Sequence, residues 1–158
     1  MHHRLPFLAV VLGLAGLIPF ILCGLEATSA NTPAAAIAAQ LLVVYGAIIL
    51  SFLGGVHWGF TLASSSDVAE QHRLVGGVLP AVLGWLIVGV SLYTQMPVLA
   101  LVLLIACYIL GTAAEWHGHG LGLVPGGYIT LRIGITVVVV AILTVVTVLR
   151  LVGAHLIF

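Results

Sequence analysis

The sequence predicts an all-α integral membrane protein, a bundle of five transmembrane helices in a single domain that covers residues 1–158. The first observation is composition, since 63% of the residues are hydrophobic and 5% are charged, whereas soluble domains carry about 25% charged residues. A large core does not explain this, because a chain of this length still exposes a large surface. The second observation is that the apolar residues form separate runs of membrane-crossing length.

Five apolar segments have this length, and together they account for most of the chain. Because the interior of a bilayer offers the backbone no hydrogen-bonding partners, each segment should be helical, including the valine-rich run at 136–148 that would suggest a strand in water. The predicted spans are, in order, Leu5–Leu25, Ala34–Ala63, Leu74–Tyr93, Pro97–Ala114 and Tyr128–Leu151.

Prolines and the N-terminal residues refine these spans. The chain begins like a signal peptide, but the first apolar run is long enough to cross the membrane, so we interpret it as a helix. Pro19 should bend the outer half of that helix. Pro80 falls inside the third span, and Pro97 begins the fourth, at a position where the missing N–H of proline costs little.

The connections between the spans are short, which makes consecutive helices antiparallel neighbours. Arg4, Arg73 and Arg132 then lie on one side of the membrane and Arg150 on the other. The positive-inside rule therefore favours a bacterial inner-membrane protein with a cytoplasmic N-terminus and an external C-terminus. The formal net charge is zero, so no basic patch for nucleic acid is expected.

The second span holds the most informative pattern, Ser-Phe-Leu-Gly-Gly-Val-His-Trp-Gly at 51–59. On a helical wheel its small and polar residues share one side, within about 60° for most of them. Small residues allow helices to approach closely inside a membrane, although glycines there could instead make room for a ligand or a helix break. We predict packing roles for Ser51, Gly54, Gly55 and Gly59. We expect the opposite side to face lipid; it contains Leu42, Ile49, Leu53, Val56 and Phe60.

His57 is the residue of this pattern that close packing does not require. It lies about 9 Å from the predicted helix end, and ionisable residues inside membranes are candidates for function. Three roles are open: a hydrogen bond to a neighbouring element such as Glu115, a metal or haem ligand, or a proton-handling or quinone-type contact. Trp58 is typical of the aromatic belt at a membrane surface.

Two further groups of residues could carry chemistry. Glu115, His117 and His119 have side chains that bind divalent metals, but a zinc site needs three or four ligands, so with His57 they are only weak metal candidates and otherwise belong to a solvated loop. Arg132 could pair with Glu115, hold an anionic headgroup or contact a substrate. Since the sequence lacks a metalloprotease motif, a phosphate-binding loop and a serine–base arrangement, no enzyme and no specific cofactor are implied.

Several segments resemble a bacterial and mitochondrial membrane-protein family of unknown function that includes the animal transmembrane protein sixty-nine. The specific part is the 51–59 block; weaker matches are Leu12–Phe20, Val78–Pro80 and Tyr128–Thr136. The resemblance covers nearly the whole chain. It implies a five-helix membrane protein, with an acidic residue at Glu115 and arginine at Arg132. The residues from Trp116 to His119 depart from the family pattern, which weakens a family-wide metal site, and no reaction is implied.

The leading hypothesis is a non-enzymatic accessory or assembly protein of the inner membrane. It would bind a lipid, a quinone-like molecule or a partner helix around His57, Trp58, Glu115 and Arg132, near the cytoplasmic face. A homo-oligomer or a complex with other membrane subunits is compatible with so small a bundle. One alternative is a small transporter or channel with a polar path along Gln40, Ser51 and His57. The other is a metal- or haem-binding membrane protein that uses His57 with His117 or His119.

Overall fold

The computed structural model describes residues 6–30, 32–62, 70–121 and 124–153, without the side chains at 32 and 70–73. Within these residues the chain forms five helical segments long and apolar enough to cross a membrane, which confirms the predicted fold class. The first segment consists of two helices, so six are numbered. They are α1 (Phe7–Ala15), α2 (Ile18–Ala27), α3 (Thr32–Leu62), α4 (Glu70–Thr94), α5 (Pro97–Gly120) and α6 (Gly126–Val152).

The first span is interrupted just before Pro19, where we predicted a bend. Helix α1 ends at Ala15 and α2 begins at Ile18, which places Pro19 in the first turn of α2. A proline is tolerated there because first-turn N–H groups have no partner within the helix. The carbonyl of Gly16, at the interruption, accepts a hydrogen bond from the Tyr45 hydroxyl of α3 at 3.0 Å. Another helix therefore supplies a partner at the break.

Successive spans run in opposite directions, so the bundle has two ends. We call the "His57 end" the end where α3 and α5 finish and α4 and α6 begin; the "Arg150 end" is the opposite one, where α2 and α6 finish. Helix α3 packs against α2, α4 and α5. Between the two ends lies an apolar core of fully buried residues: Leu42, Val43, Leu101, Leu104, Val139 and Leu143.

Small residues bring α3 and α4 into close contact, as the 51–59 pattern predicts. A Cβ atom added at Gly54 would collide with the carbonyl of Gly77, and one added at Gly84 would lie 3.0 Å from the carbonyl oxygen of Ala47. The indole of Trp58 lies against Gly77 and donates from Nε1 to the carbonyl of Leu74 at 2.9 Å. We call these contacts the seam between α3 and α4. They set the position of α4 along α3 at the His57 end.

The predicted division of α3 into a packing side and a lipid side is wrong in part. Because α3 contacts three other helices, the bulky residues expected to face lipid are buried or half-buried, and Leu42 is completely buried. Gly55 and Gly59 lie on the exposed side, and a Cβ atom at either would meet no atom within 4 Å in the described part of the chain. The exposed stripe contains Ile37, Leu41, Ile48, Phe52, Gly55 and Gly59.

Two helices extend at one end by four or more residues beyond the predicted bounds. Helix α5 continues to Gly120 instead of ending at Ala114, so Glu115, His117 and His119 lie on a helix and not in a loop. No proline occurs between Pro97 and Pro125 to end it earlier. Helix α4 starts at Glu70 instead of Leu74, and the rest of the predicted polar connection before it, 64–69, lies outside the described residues.

Candidate functional site

Three ionisable side chains from three helices meet at the His57 end. The Glu115 carboxylate of α5 accepts a hydrogen bond from Nε of Arg132 of α6 through Oε2, at 2.9 Å. Its other oxygen, Oε1, lies 3.1 Å from Nε2 of His57 of α3. Since a carboxylate only accepts hydrogen bonds, Nε2 of His57 carries the proton of this contact. We call this group the "His57 cluster".

The arginine of the cluster is buried and further held by neutral groups. Nη1 of Arg132 donates to Oγ1 of Thr136, one turn along α6, at 3.0 Å. Thr136 in turn lies 3.0 Å from Oγ1 of Thr112 on α5. The guanidinium carbon is 5.9 Å from the ring centroid of Tyr108, within the range of a cation–π contact. An arginine facing away from lipid with a carboxylate partner is the arrangement that a membrane interior requires of a charge.

His57 is the most exposed member of this cluster, and we call its exposed side the open edge. Its side chain is 26% exposed, whereas those of Glu115 and Arg132 are 4% and 3% exposed. Its Nδ1 makes no hydrogen bond to any described residue. A neutral imidazole with its proton on Nε2 offers Nδ1 as an acceptor, and the protonated ring offers it as a donor. The cluster therefore leaves one hydrogen-bonding position unfilled among the described residues.

An aromatic pair lies beside the open edge. The ring of Phe60 is 6.4 Å from that of His57 and 5.1 Å from that of Tyr128, both in edge-on geometry. The hydroxyl of Tyr128 is buried and has no hydrogen-bond partner in the described part of the chain. A buried hydroxyl without a partner costs free energy, and a group from outside could reach it only if the side chains around it moved.

The structure brings His57, Glu115 and Arg132 together as the sequence predicts, but it separates Trp58 from them. The indole of Trp58 turns to the seam with α4, and 42% of the residue is exposed. Ser51 donates to the carbonyl of Ala47 in its own helix at 2.8 Å. Of the three glycines predicted to pack, Gly54 alone faces another helix at close range among the described residues.

The weak metal candidates do not converge. Residues two apart on a helix point about 200° apart, so His117 and His119 face different sides of α5. His117 is exposed, and His119 donates from Nδ1 to the carbonyl of Val124 at 2.7 Å. Across the described residues, no three His, Cys, Asp or Glu side chains are placed to hold one metal ion.

Sequence reasoning missed the neutral members of the site. Thr136 lies four residues after Arg132, and this spacing places two residues on the same face of a helix; that signal was available in the sequence. Tyr128 and Thr112 gave no such signal, because their role depends on how α3, α5 and α6 are placed. Tyr108 was also missed; its hydroxyl donates to the carbonyl of Gly46 at 2.9 Å inside the core.

The fold and the cluster define a class, a polytopic helical membrane protein with an ion-paired cluster shared by three spans. The chain belongs to the family described as "Protein of unknown function (DUF3429)", whose pattern matches residues 5–148. The resemblance found in the 51–59 block is thereby confirmed.

Two animal relatives are similar to this chain. Transmembrane protein 69 of Xenopus tropicalis is 40% identical over 149 residues, which covers 92% of this chain and 53% of the relative. Transmembrane protein 69 of Mus musculus is 36% identical over 80 residues, or 49% of this chain and 31% of the relative. The chain thus spans about half of the first relative's length (53%) and less of the second. No solved structure matches the chain.

Proposed function

We propose that this chain is a non-enzymatic accessory or assembly protein of the bacterial inner membrane, which binds a membrane partner at the His57 cluster. The partner supplies a hydrogen-bonding group that meets His57 at the exposed edge of the cluster. A helix of another subunit, a second copy, a lipid or a quinone-like molecule can each present such a group. The proposal of a non-enzymatic role rests on the sequence, in which no reaction motif occurs.

A single observation carries this proposal, the contrast in exposure within the cluster. The Glu115 and Arg132 side chains are 4% and 3% exposed and each satisfies the other. Because both are buried and paired, they are not accessible to a substrate. His57 is 26% exposed and has a free ring nitrogen in the described part of the chain. The partly exposed imidazole of His57 is held in place by Glu115 and flanked by aromatic rings. This arrangement suits the binding of a partner better than catalysis.

The arginine distribution supports the orientation that we propose. Arg132 lies near the His57 end and Arg150 at the opposite end, while Arg4 and the Arg73 side chain lie outside the described residues. By sequence position three arginines share the His57 side and one the other. The positive-inside rule then places the His57 cluster near the cytoplasmic face, with the C-terminus outside.

The channel alternative gains no support from the packing. Gln40 and His57 are about 26 Å apart along α3, at 1.5 Å per residue. The core between them includes Leu50 and Leu104, which are 3% and 0% exposed. A polar path would have to cross this apolar layer, which the described residues fill with side chains.

The test is purification in mild detergent of the wild type and two single variants, His57→Ala and His117→Ala. His117 is an exposed histidine at the same end of the bundle, so it controls for loss of a surface imidazole. We expect the wild type and His117→Ala to retain the same co-purifying subunit, lipid or quinone-like molecule by mass spectrometry. We expect His57→Ala to remain folded and to lose at least tenfold of it; the thermal unfolding midpoint should fall modestly, because the bond to Glu115 is lost. Equal retention by all three proteins would refute the proposal.

A further inference from the structure

We propose a second binding site, at the Arg150 end, for one anionic glycerophospholipid: an acyl chain lies in a groove between α2 and α6, and the phosphate binds Arg150. This site is separate from the His57 cluster and does not depend on the function proposed above.

The groove is a defined feature of the lipid-facing surface, with a volume of about 250 Å³. Its floor is Gly24 of α2 with Ile142 and Val146 of α6, and its rim includes exposed side chains such as Leu25 and Val145. The floor is set by close approach of the two helices, because a Cβ atom at Gly24 would lie 2.8 Å from Cγ2 of Ile142. Glycine is therefore required for the present depth and shape.

The groove has the chemistry and the length of an acyl-chain site. Its surface is almost wholly apolar, and it follows α2 from Ile21 to Thr28, a distance of about 10 Å at 1.5 Å per residue. One leaflet of the hydrocarbon core is about 15 Å deep, half of the 30 Å total. A single chain segment lying in the groove would thus be held over most of one leaflet.

Arg150 lies at the headgroup end of this groove. It is in the last turn of α6, four residues beyond the floor residue Val146, which is one helical turn or about 6 Å. Its Nη1 donates to the carbonyls of Ala27 and Ala35, at 3.1 and 3.2 Å. Ala27 directly precedes Thr28 at the end of the groove, so these bonds hold the guanidinium at the groove's mouth.

The charge of Arg150 has no carboxylate partner within the described residues. Glu26, the acidic residue of this end, is exposed and accepts a bond from Ser29 instead, at 3.3 Å. The Nε and Nη2 groups of Arg150 make no hydrogen bond to the described part of the chain. A guanidinium pre-positioned with free donors at the membrane surface is complementary to a phosphate, and the groove below it selects a phosphate that carries acyl chains.

The experiment is native mass spectrometry of the full chain, purified in mild detergent with added phosphatidylglycerol. Ala141→Phe fills the groove from its exposed rim, and Ala106→Phe places the same ring on the exposed side of α5 as a matched control. Arg150→Gln removes the charge but keeps an N–H donor for the two carbonyls, and Arg150→Lys keeps the charge.

We expect one retained phosphatidylglycerol in the wild type and Ala106→Phe, weaker retention in Arg150→Lys, and at least a tenfold loss in Ala141→Phe and Arg150→Gln. His57→Ala should retain the lipid, which separates this proposal from the one above. Retention of phosphatidylglycerol by Ala141→Phe would show that headgroup charge alone binds the lipid. It would overturn the assignment of the groove as an acyl-chain site. Full retention by Arg150→Gln, or a wild type that carries a second copy of the chain in place of lipid, would overturn the phospholipid assignment.

Discussion

Helix α6 carries an arginine near each end, and the two have different surroundings. Arg132 is 4% exposed and forms an ion pair with Glu115 at 2.9 Å, with Thr136 as a further acceptor. Arg150 is half-buried and bonds two backbone carbonyls. The same side chain on the same helix is therefore neutralised within the protein at one end and left positively charged at the other.

The comparison distinguishes a charge that stabilises the fold, at Arg132, from a charge that is available to bind a ligand, at Arg150. A buried charge needs a partner inside the protein, since an unpaired one in a membrane costs at least about 2.5–3.5 kcal/mol. Arg132 meets that need through Glu115, and His57 is the member of that group left open. Arg150 lies in the last turn of α6, where we propose a lipid phosphate as its partner. The two ends therefore present different chemistry, the hydrogen-bonding edge of His57 at one end and the guanidinium of Arg150 at the other.

The largest expected effect is on stability at the paired arginine. Arg132→Ala leaves the Glu115 carboxylate buried without its partner, and breaking a buried pair typically costs about 3–5 kcal/mol. Arg150→Ala loses two hydrogen bonds to backbone carbonyls near the surface, worth about 1–2 kcal/mol in total. Titration with sodium dodecyl sulfate in mixed micelles measures both free energies of unfolding.

A double variant tests whether the loss of stability in Arg132→Ala comes from the unpaired charge of Glu115. Glu115→Gln combined with Arg132→Met removes both charges and keeps most of the side-chain volume, so it should be less destabilised than Arg132→Ala alone. Equal losses at Arg132 and Arg150, or a double variant as unstable as the single one, would contradict the distinction between the two ends.

The next effect concerns the seam that sets the geometry of the His57 end. At Gly54 an added methyl group collides with the carbonyl of Gly77, whereas at Gly55 it meets open space. Gly54→Ala should cost about 1–3 kcal/mol by overpacking, and Gly55→Ala should be neutral or stabilising by up to about 1 kcal/mol through the helix preference of alanine. The same detergent titration compares these adjacent positions.

A functional readout accompanies the glycine pair. Because Gly54 positions α3 against α4, Gly54→Ala should also reduce retention of the partner bound at His57, while Gly55→Ala should not. If Gly55→Ala instead lost the partner, the exposed side of α3 would be the docking surface, and the predicted packing roles of Gly55 and Gly59 would apply between chains.

Sequence patterns predicted the fold well because a membrane makes length and hydrophobicity decisive. The five spans and a bend near Pro19 followed from local composition, and the Glu115–Arg132 pair was one of the three roles expected for Arg132. The exposed side of α3 could not be predicted, since polarity does not distinguish lipid from an apolar protein neighbour. Leu42 shows this: the same leucine suits either environment, and only the placement of three other helices buries it.

The continuation of α5 past Ala114 was missed for a related reason. Glycines and histidines at 115–120 suggested a loop, because they are poor helix formers in isolation. In the folded chain Glu115 is fixed by two side chains from other helices, and these contacts outweigh a weak local preference. The candidate site was thus predictable in its charged members, and its neutral members depended on tertiary placement.

The smallest expected effect is at Gln40, a neutral polar residue of α3 on the Arg150 side of the core. Its Oε1 accepts a bond from Ser91 at 2.8 Å, but its buried Nε2 has no partner in the described part of the chain. Gln40→Leu removes the unsatisfied amide, and Ser91 can turn to a carbonyl of its own helix. The free energy of unfolding should change by about 1 kcal/mol or less, because the lost hydrogen bond and the relieved desolvation nearly cancel.

Gln40→Leu also distinguishes the proposed function from the channel alternative. If the apolar layer between Gln40 and His57 is closed, the variant should retain its partner at His57 and behave as wild type in proteoliposomes. A solute or proton flux in the wild type that Gln40→Leu abolishes would show that the layer opens. The two ends would then belong to one polar path. Arg132 and Arg150 could no longer be assigned separate roles, one in structure and one in recognition.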